Sequence, residues 1–431
     1  MTTAIVVVVV LVFIAVLVWA VADATRRPAH VWQASGHSQP GWIAAILIVP
    51  LFDVFYLVSL RPELASLQQS ATTEPHGPPE PQLRADGQAL LRVEDLVVEF
   101  AARGGQKVHA VSGVSLDILE GETLGLVGES GCGKSTTGRA IVQLPPPISG
   151  TVTLAGQELT KLGGTALRRL RPTMQMIFQD PISSLNPRRK VRDIVAEGLE
   201  IWSVGDKASR SAKVDEVLDA VGIDPANANR RPHEFSGGQC QRISIARAVV
   251  TEPKLIICDE PVSALDVSVQ AQIINLLQDM KARYGLTLVF IAHDLAVVKN
   301  VSDRVMVMYL GKLCEVGVPD ALYERPSHPY TAALLAAIPV PDPETKPDSE
   351  KVLGGEIPSP LSPPSGCRFR TRCPKAEAKC AQEEPQMREI TPNHFAACHF
   401  PLEPGEALDF TKAGTGAFIG LEDGADEDDD V

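Results

Sequence analysis

Aromatic residues are scarce in this chain, at 5% of 431 residues, so little is available for a surface on which nucleic-acid bases would stack. An excess of basic residues is also missing. The formal net charge is −13, which argues against a DNA-binding body. Much of the negative charge is confined to the last ten positions, where seven acidic residues occur: Glu422, Asp423, Asp426, Glu427, Asp428, Asp429 and Asp430. Such a run predicts a solvated, disordered end rather than part of a packed core.

One stretch, Gly128-Glu-Ser-Gly-Cys-Gly-Lys-Ser-Thr136, fits the phosphate-loop pattern at all of its fixed positions. It follows an apolar run of strand length, 123–127, and it leads into a helix-like run, 134–144. Glycines allow backbone N–H groups to turn towards a phosphate, and a helix N-terminus adds positive potential. We therefore predict that Lys134 reaches the β- and γ-phosphates and that the Ser135 hydroxyl holds Mg²⁺.

An acidic pair follows a second apolar strand. Residues 254–258 lead directly into Asp259 and Glu260. In phosphate-loop proteins an Asp in this place holds Mg²⁺, and Glu260 is then placed to polarise the attacking water. Taken alone, the pair would more often be a surface feature at a strand end. The complete phosphate loop shifts the interpretation towards catalysis.

A second anion-seeking helix start is expected at Ser236-Gly-Gly-Gln239, just before a helical run over 240–249. Ser236 is a good helix cap, and its neighbouring glycines leave N–H groups free. One ATP needs only one phosphate cradle. Two such helix ends in one chain therefore suggest a dimer in which each ATP is sandwiched between two chains.

Apolar strands alternate with helical patterns through the middle of the chain. Strands are predicted at 91–100, 111–118, 150–154, 174–178, 254–258 and 286–292, and helices at 191–202, 212–221 and 269–283. This alternation predicts an α/β fold with a mainly parallel sheet and ligands at the carboxyl ends of its strands. No internal repeat is visible in the sequence.

The order of these motifs resembles that of ABC-transporter ATPases over residues 90–400. The matching stretches are Gly128 to Thr136, Gln179, Ser236 to Gln239, 255–260, Ser263-Ala-Leu-Asp266 and His293. The resemblance implies an α/β phosphate-loop ABC ATPase domain with a mainly parallel core sheet, an antiparallel β subdomain and a helical subdomain. It also implies transport-coupled ATP hydrolysis.

The same resemblance implies roles for individual residues. The residues expected to bind ATP are Phe100, Ser130, Gly131, Gly133, Lys134, Ser135, Thr136, Ser236, Gly237, Gly238, Gln239 and Asp266. Phe100 would stack on the adenine, and Asp266 would communicate across the dimer. Ser135, Gln179 and Asp259 would hold Mg²⁺. Glu260, His293 and Gln179 would act in catalysis, with His293 on the γ-phosphate and Gln179 also signalling to a membrane partner. The loop 180–187 would lie near a permease coupling helix.

The C-terminal part of the chain narrows the resemblance to one subfamily of these ATPases. Ser327-His-Pro-Tyr-Thr-Ala-Ala-Leu-Leu335, Gly355-Glu-Ile-Pro-Ser-Pro360 and Gly366-Cys-Arg-Phe369 are similar to the C-terminal extension of oligopeptide and dipeptide importers. Within that family the chain resembles the F-type ATPase. The implied partners are a D-type ATPase, two permeases and an extracytoplasmic peptide-binding protein, with no nucleic acid. Cys240 departs from the Arg that is usual after Gln239, but Gln241 and Arg242 remain.

Alternative functions stay open at this point. Relatives in this family also carry nickel or glutathione. A soluble ABC ATPase acting on ribosomes or DNA would usually contain two ATPase units in one chain. A GTPase lacks support because no Asn-Lys-x-Asp motif for reading the base is present.

The cysteines fall into two sets. Cys132, Cys240, Cys258 and Cys314 are scattered, whereas Cys367, Cys373, Cys380 and Cys398 cluster. Disulfide frameworks suit short secreted chains, and an ATP-using protein works in the reducing cytosol, so metal binding is the better interpretation. The close Cys-x₂-Cys pairs of common zinc sites are missing. The run is similar to one that some members of this family use for a [4Fe–4S] cluster. Zinc, with His394 or His399 as a substitute ligand, and unliganded thiols are the alternatives.

Two apolar stretches precede the ATPase motifs. Residues 1–22 carry no charge and are long enough to cross a bilayer, and 42–60 is a second stretch interrupted by Pro50 and Asp53. No basic residue precedes Ala22-Asp-Ala24, so a retained membrane helix is favoured over a cleaved signal peptide. A two-helix hairpin and a single span with an interfacial segment are both compatible with the sequence. Asp53 at membrane depth would be a functional candidate.

The predicted organisation follows from these boundaries. A membrane segment of one or two transmembrane helices occupies 1–62, and a disordered Pro-rich linker occupies 63–88. The ABC ATPase domain spans 89–326, the extension with its four cysteines spans 327–400, and an acidic tail spans 401–431. The expected location is the inner or plasma membrane, with the ATPase domain on its cytoplasmic side.

Overall fold

The computed structural model describes residues 89–338, 356–406 and 408–410. The predicted membrane segment at 1–62, including Asp53, and the predicted linker at 63–88 lie outside the described residues. Most of the predicted acidic tail lies outside them too. Within the described ranges, no helix combines the length and the apolar character needed to cross a bilayer.

A four-stranded antiparallel sheet opens the described chain. Its strands are β1 Leu91–Ala101, β2 Lys107–Ile118, β4 Ser149–Leu154 and β5 Gln157–Glu158, in the order β2-β1-β4-β5. Apolar residues of β1 are buried in two alternating pairs, Leu91 with Val93 and Leu96 with Val98, which a bulge separates. Period-two alternation puts one face of a strand on the core, which is why this sheet was predictable.

The second sheet has eight strands and is the central sheet of the described ATPase region. Its members are β3 Thr123–Val127, β6 Met174–Ile177, β7 Leu255–Asp259, β8 Thr287–Ala292, β9 Arg304–Tyr309, β10 Lys312–Gly317, β11 Arg388–Thr391 and β12 His394–Ala396. The order is β11-β12-β10-β9-β3-β8-β7-β6, and the five strands from β9 to β6 run parallel. Strands β3, β7, β8 and β9 are buried along their whole length, as expected of parallel strands covered on both faces.

The register of the parallel strands aligns their carboxyl ends. Val127 of β3 lies opposite Ala292 of β8, and Asp259 of β7 lies opposite Ile291. Ile177 of β6 lies opposite Cys258. The residues that follow these strands therefore emerge at one edge of the sheet, where ligands of open α/β sheets bind.

Eleven helices are described besides short 3₁₀ turns: α1 Lys134–Ile141, α2 Gly164–Leu170, α3 Pro181–Ser184, α4 Val191–Ile201, α5 Lys207–Ala220, α6 Gly237–Val249, α7 Val267–Tyr284, α8 Leu295–Val301, α9 Pro319–Glu324, α10 Pro329–Ala336 and α11 Ala378–Gln382. Helices α4, α5 and α6 pack on one another. Helix α5 begins at Lys207, earlier than predicted, because Asp206 and Ser209 form a reciprocal capping box. The predicted α/β fold, with a mainly parallel core sheet and a separate antiparallel sheet, is confirmed.

The C-terminal extension is built into the central sheet. Strand β12 pairs antiparallel with β10, with Ala396 opposite Glu315. The buried carboxylate of Glu315 accepts hydrogen bonds from the N–H groups of Ser327 (2.6 Å) and His328 (2.9 Å), and His394 lies 2.6 Å from it. The sequence did not predict β9 to β12, and the extension is thus a continuation of the ATPase core.

The first residues of the predicted acidic tail also pack against the domain. The N–H of Leu402 donates to the carbonyl of Ser327 at 2.8 Å. Phe410 is buried, with 3% of its surface exposed. The last described residues therefore cover the extension.

Candidate active site

The phosphate loop is held tightly against strands β9 and β2. Gly128 (φ 151°) and Gly133 (φ 107°) have positive φ angles. A Cβ on Gly128 would lie 2.1 Å from the carbonyl oxygen of Met308, and one on Gly133 would lie 2.2 Å from that of Ala110. Both contacts are far inside van der Waals distance. The loop can therefore keep this shape only with glycine at these two positions.

Lys134 is curled over the loop that precedes it. Its side chain is buried, and its Nζ donates to the carbonyls of Gly128 (2.7 Å) and Glu129 (2.9 Å). Ser130 and Gly131 at the tip are exposed, and Thr136 is half-buried. The loop thus keeps its cation at its inner side and presents its backbone to solvent.

Ser135 and Asp259 meet although 124 residues separate them. The Ser135 hydroxyl donates to Asp259 Oδ1 at 2.5 Å, and the guanidinium of Arg139 lies 3.3 Å from Oδ2. The carboxylate of Asp259 is completely buried. A hydroxyl and a carboxylate are oxygen donors of the kind that Mg²⁺ prefers, so this pair fits such an ion.

The carboxylate of Glu260 contacts two other predicted site residues, Gln179 and His293. Its Oε2 accepts a hydrogen bond from Gln179 Nε2 at 2.9 Å and lies 3.5 Å from His293 Nδ1. Its backbone has a φ of 46°, a left-handed conformation that is unusual for a non-glycine residue. The N–H of Glu260 donates to the carbonyl of Ile291 at 3.0 Å, which ties this turn to β8. The strained turn therefore fixes the carboxylate between Gln179 and His293.

The residues at the start of α6, Ser236 to Gln239, form a site of their own. Ser236 Oγ accepts from the N–H of Gln239 at 3.3 Å, and Gln239 Oε1 accepts from the N–H of Ser236 at 2.9 Å. Both residues are exposed. A Cβ on Gly238 would lie 2.6 Å from Val269 Cγ1, so α6 rests closely on α7. These two hydrogen bonds close within the first turn of α6 and do not reach the phosphate loop.

Three other predicted residues lie around these groups. Asp266 occupies the N-cap position of α7 without a side-chain capping hydrogen bond, and Gly237 is half-buried beside Leu265. Phe100 lies near the end of β1 with 42% of its surface exposed. The structure therefore joins the phosphate loop, Asp259, Glu260, Gln179 and His293 at one sheet edge, and it leaves the α6 start and Phe100 on the surface.

Two residues of the extension contact the phosphate loop, and sequence reasoning missed both. Arg372 forms a bidentate ion pair with the carboxylate of Glu129, at 2.7 and 3.0 Å. The hydroxyl of Tyr330 accepts a hydrogen bond from the N–H of Glu129 at 2.8 Å. The sequence offered one indication of such a contact. Glu129 is an acidic residue inside an anion-binding loop, and a nearby cation is needed to neutralise its charge.

Of the clustered cysteines in the extension, Cys380 is buried and the other three are half-buried. Burial, together with the neighbouring thiols of the set, raises the pKa of Cys367 to about 11 and those of Cys373 and Cys398 to about 12. The N–H of Cys367 donates to the carbonyl of Cys380 at 2.8 Å. In the part of the chain that the structure describes, no three His, Cys, Asp or Glu side chains are grouped as ligands of a metal ion.

Neither candidate histidine faces the thiols as a replacement ligand. His394 is buried against Glu315, and His399 Nε2 lies 3.0 Å from the carbonyl of Glu383. The four cysteines are therefore the donor set to consider at this place.

Comparison with known proteins agrees with these observations. Residues 111–263 match the family model described as "ABC transporter", and residues 314–380 match the one described as "Oligopeptide/dipeptide transporter, C-terminal region". The chain is 53% identical over 312 residues to a putative oligopeptide transport ATP-binding protein, YkfD, of Bacillus subtilis, and this match covers 72% of the chain and 95% of the relative. It is 52% identical over 321 residues to the oligopeptide transport ATP-binding protein OppF of Salmonella typhimurium, again covering 72% and 95%. The chain therefore belongs to the family of ABC-transporter ATP-binding proteins of the oligopeptide/dipeptide type.

Proposed function

We propose that this chain is the ATP-hydrolysing subunit that powers uptake of di- and oligopeptides through an ABC importer. The observation that carries the proposal is the region typical of oligopeptide/dipeptide transporters, 314–380, which begins within β10 and contacts the phosphate loop through Arg372. The relatives' names supply the solute class. Nickel and glutathione importers, and an ATPase acting on ribosomes or DNA, are the alternatives.

ATP binds with its phosphates in the 128–136 loop. The exposed backbone at Ser130 and Gly131 faces the phosphates, and Lys134 moves from the loop carbonyls to the β- and γ-phosphates. Ser135 and Asp259, with Gln179, would hold Mg²⁺, which neutralises phosphate charge when bound. Phosphoryl transfer to water depends mainly on such positioning and charge neutralisation.

Glu260 polarises the attacking water. Gln179 donates to its carboxylate and His293 lies beside it, so the two side chains orient Glu260 from the ends of β6 and β8. In this proposal His293 contacts the γ-phosphate. Glu260, Gln179 and His293 form one connected unit. Within it, the Glu260 carboxylate is the group that acts on water, so its loss removes that function.

The second half of each ATP site comes from a partner ATPase of the D type. The first N–H groups of a helix lack acceptors within the helix, and at the start of α6 they lie at an exposed turn. Ser236, Gly237, Gly238 and Gln239 would contact ATP held by the partner's loop, with Asp266 communicating across the interface. Phe100 would stack on the adenine of this chain's own ATP.

An exposed apolar groove favours a permease as the membrane partner. A cavity of about 280 Å³ lies between the edge of the central sheet and helix α4, and its lining includes Phe178, Ile201 and Trp202. Phe178 is directly followed by Gln179, so a segment seated in the groove would touch the chain one residue from the ATP site. We place the ATPase on the cytoplasmic face of the membrane, with two permeases and an extracytoplasmic peptide-binding protein. We also propose that the segment at 1–62 lies in the membrane.

Ile201→Glu is expected to uncouple transport from ATP hydrolysis. Ile201 is 53% exposed at the end of α4, so a charge there should exclude an apolar partner without disturbing the core. Purified in mild detergent, the wild-type chain should carry permeases and a binding protein by mass spectrometry. The variant should no longer co-purify with the permeases. Its uptake of labelled peptide should fall at least about tenfold, which corresponds to about 1.4 kcal/mol of lost coupling free energy.

Val318→Glu is the matched control, since Val318 is another exposed apolar residue, at 43%, outside the groove. It should keep both partners and uptake. Competition of uptake by nickel or glutathione, but not by peptides, would reassign the solute. Ribosomal proteins in place of permeases would overturn the transport function.

We also propose that Cys367, Cys373, Cys380 and Cys398 hold a [4Fe–4S] cluster, with zinc as the alternative. Four cysteine thiols are the usual donor set for such a cluster. Cys398, Cys367 and Cys380 are near enough to raise the pKa of Cys373, although the described structure does not bring three of the thiols together as metal ligands, so cluster binding would have to draw them closer. High thiol pKa values mean that metal loading at neutral pH must displace protons. When bound, the group would cross-link the extension.

Anaerobic purification of the full chain tests the cluster. We expect about four irons and four sulfides per chain, with broad visible absorbance, and we expect Cys373→Ser to lose most of this iron. Cys240→Ser is the control, because Cys240 is a buried thiol outside the set. Zinc without iron would favour the alternative, and iron that persists in Cys373→Ser would contradict the assignment.

A further inference from the structure

Glu129 puts a negative charge inside a loop that must bind a polyanion. It is the second residue of the phosphate loop, and its side chain is 23% exposed. A carboxylate close to bound phosphates repels them, and the repulsion is strongest where water is partly excluded. The loop therefore needs this charge to be neutralised before it can bind ATP tightly.

Arg372 supplies the neutralising charge from the C-terminal extension. Its Nη1 lies 2.7 Å from Glu129 Oε2 and its Nη2 lies 3.0 Å from Oε1, which is the bidentate geometry of a strong charge-assisted pair. Only 4% of the Arg372 side chain is exposed. The guanidinium also lies over the ring of Tyr309, 5.9 Å from its centroid. The pair is thus fixed in a largely dry environment.

Tyr330 fixes the backbone at the same residue. Its hydroxyl accepts from the N–H of Glu129, and its ring is fully buried. The ring packs edge-on against Tyr309, with centroids 4.8 Å apart, and tilted against Phe369 at 5.3 Å. Glu129 is therefore held by its side chain and by its backbone, both times by residues that follow the ATPase motifs.

We propose that Arg372 is a positioning residue of the ATP site, which neutralises Glu129 and so sets the affinity of the phosphate loop for ATP. The inference rests on the proposed ATP site and adds to it a contribution from the extension. Displacement of the extension would expose the Glu129 carboxylate to the phosphates. The extension thereby controls ATP affinity through one ion pair.

Arg372→Met should raise the KM for ATP about tenfold and leave kcat within about twofold, because the variant acts on binding and not on the attacking water. Glu129→Gln combined with Arg372→Met should return the KM to within about threefold of wild type, since the repelling charge is then gone. Affinity for a fluorescent ATP analogue should change in parallel. Lys312→Met is the matched control, because Lys312 pairs with Glu384 of the extension at 2.6 Å and leaves Glu129 neutralised. It should keep the wild-type KM.

If the double variant has a KM for ATP as high as that of Arg372→Met, the proposal is overturned, because the ion pair would then serve only to dock the extension. If Arg372→Met does not fold, Glu129→Gln alone decides the matter. It should bind ATP at least as tightly as wild type, and a KM raised threefold or more would refute the electrostatic role. Failure of the ATP site itself has a different signature, since the wild-type chain assembled with its partner ATPase would then not hydrolyse ATP and the inference would fall with it.

Discussion

Glu260→Gln should bind ATP normally and hardly turn it over. The substitution keeps size and shape, and the new amide oxygen can still accept from Gln179, so the strained turn after β7 should persist. It removes the carboxylate that polarises the attacking water. Groups of this kind contribute on the order of 10²- to 10⁴-fold to rate, so we expect kcat to fall at least about a hundredfold. The dissociation constant for ATP should change by less than about threefold.

Glu252→Gln is the control for this experiment. Glu252 also has a left-handed backbone, with a φ of 51°, but its carboxylate pairs with Lys213 at 2.6 Å on the surface. Its substitution should leave kcat unchanged. Single-turnover hydrolysis and equilibrium binding of a fluorescent ATP analogue separate chemistry from binding. A Glu260→Gln enzyme with near-normal turnover would remove Glu260 from its proposed role.

Local pattern was sufficient for much of this site. The apolar run before the phosphate loop predicted β3 at Thr123–Val127 without error, because a buried parallel strand is a short continuous apolar run. Asp259 was expected at a strand end and closes β7. Parallel strands end at one sheet edge, so the approach of Asp259 to Ser135 could be anticipated from topology.

Contacts across long sequence separations could not be anticipated. Arg372 meets Glu129 across 243 residues, and neither residue has a periodicity that points to the other. Strand β12 has three residues, and the buried Glu315–His394 contact accompanies its pairing with β10. Short strands that are held by buried polar groups carry almost no hydrophobic pattern. Sequence reasoning therefore described the extension by resemblance and missed its place in the sheet.

Ser236→Asp should abolish ATP hydrolysis in the assembled ATPase pair while leaving the isolated chain intact. Asp caps a helix as well as Ser does, so the capping box with Gln239 should survive. A negative charge near a helix N-terminus even stabilises the fold, by about 0.3–1 kcal/mol. In the proposed composite site, however, the new carboxylate would face the γ-phosphate held by the partner.

The size of this repulsion decides the outcome. Two like charges about 4 Å apart repel by about 4 kcal/mol at an effective dielectric constant of about 20, so hydrolysis should fall at least about a hundredfold. Ser236→Asn is the matched control, because Asn caps equally well without charge and should keep most of the activity. Thermal melting and ATP-analogue binding by the isolated chain should be unchanged in both variants, whereas ATP-dependent association with the partner ATPase should fail only in Ser236→Asp. If the Asp variant associates and hydrolyses ATP like the Asn variant, the exposed start of α6 is not half of an ATP site, and the phosphate loop of each chain must act alone.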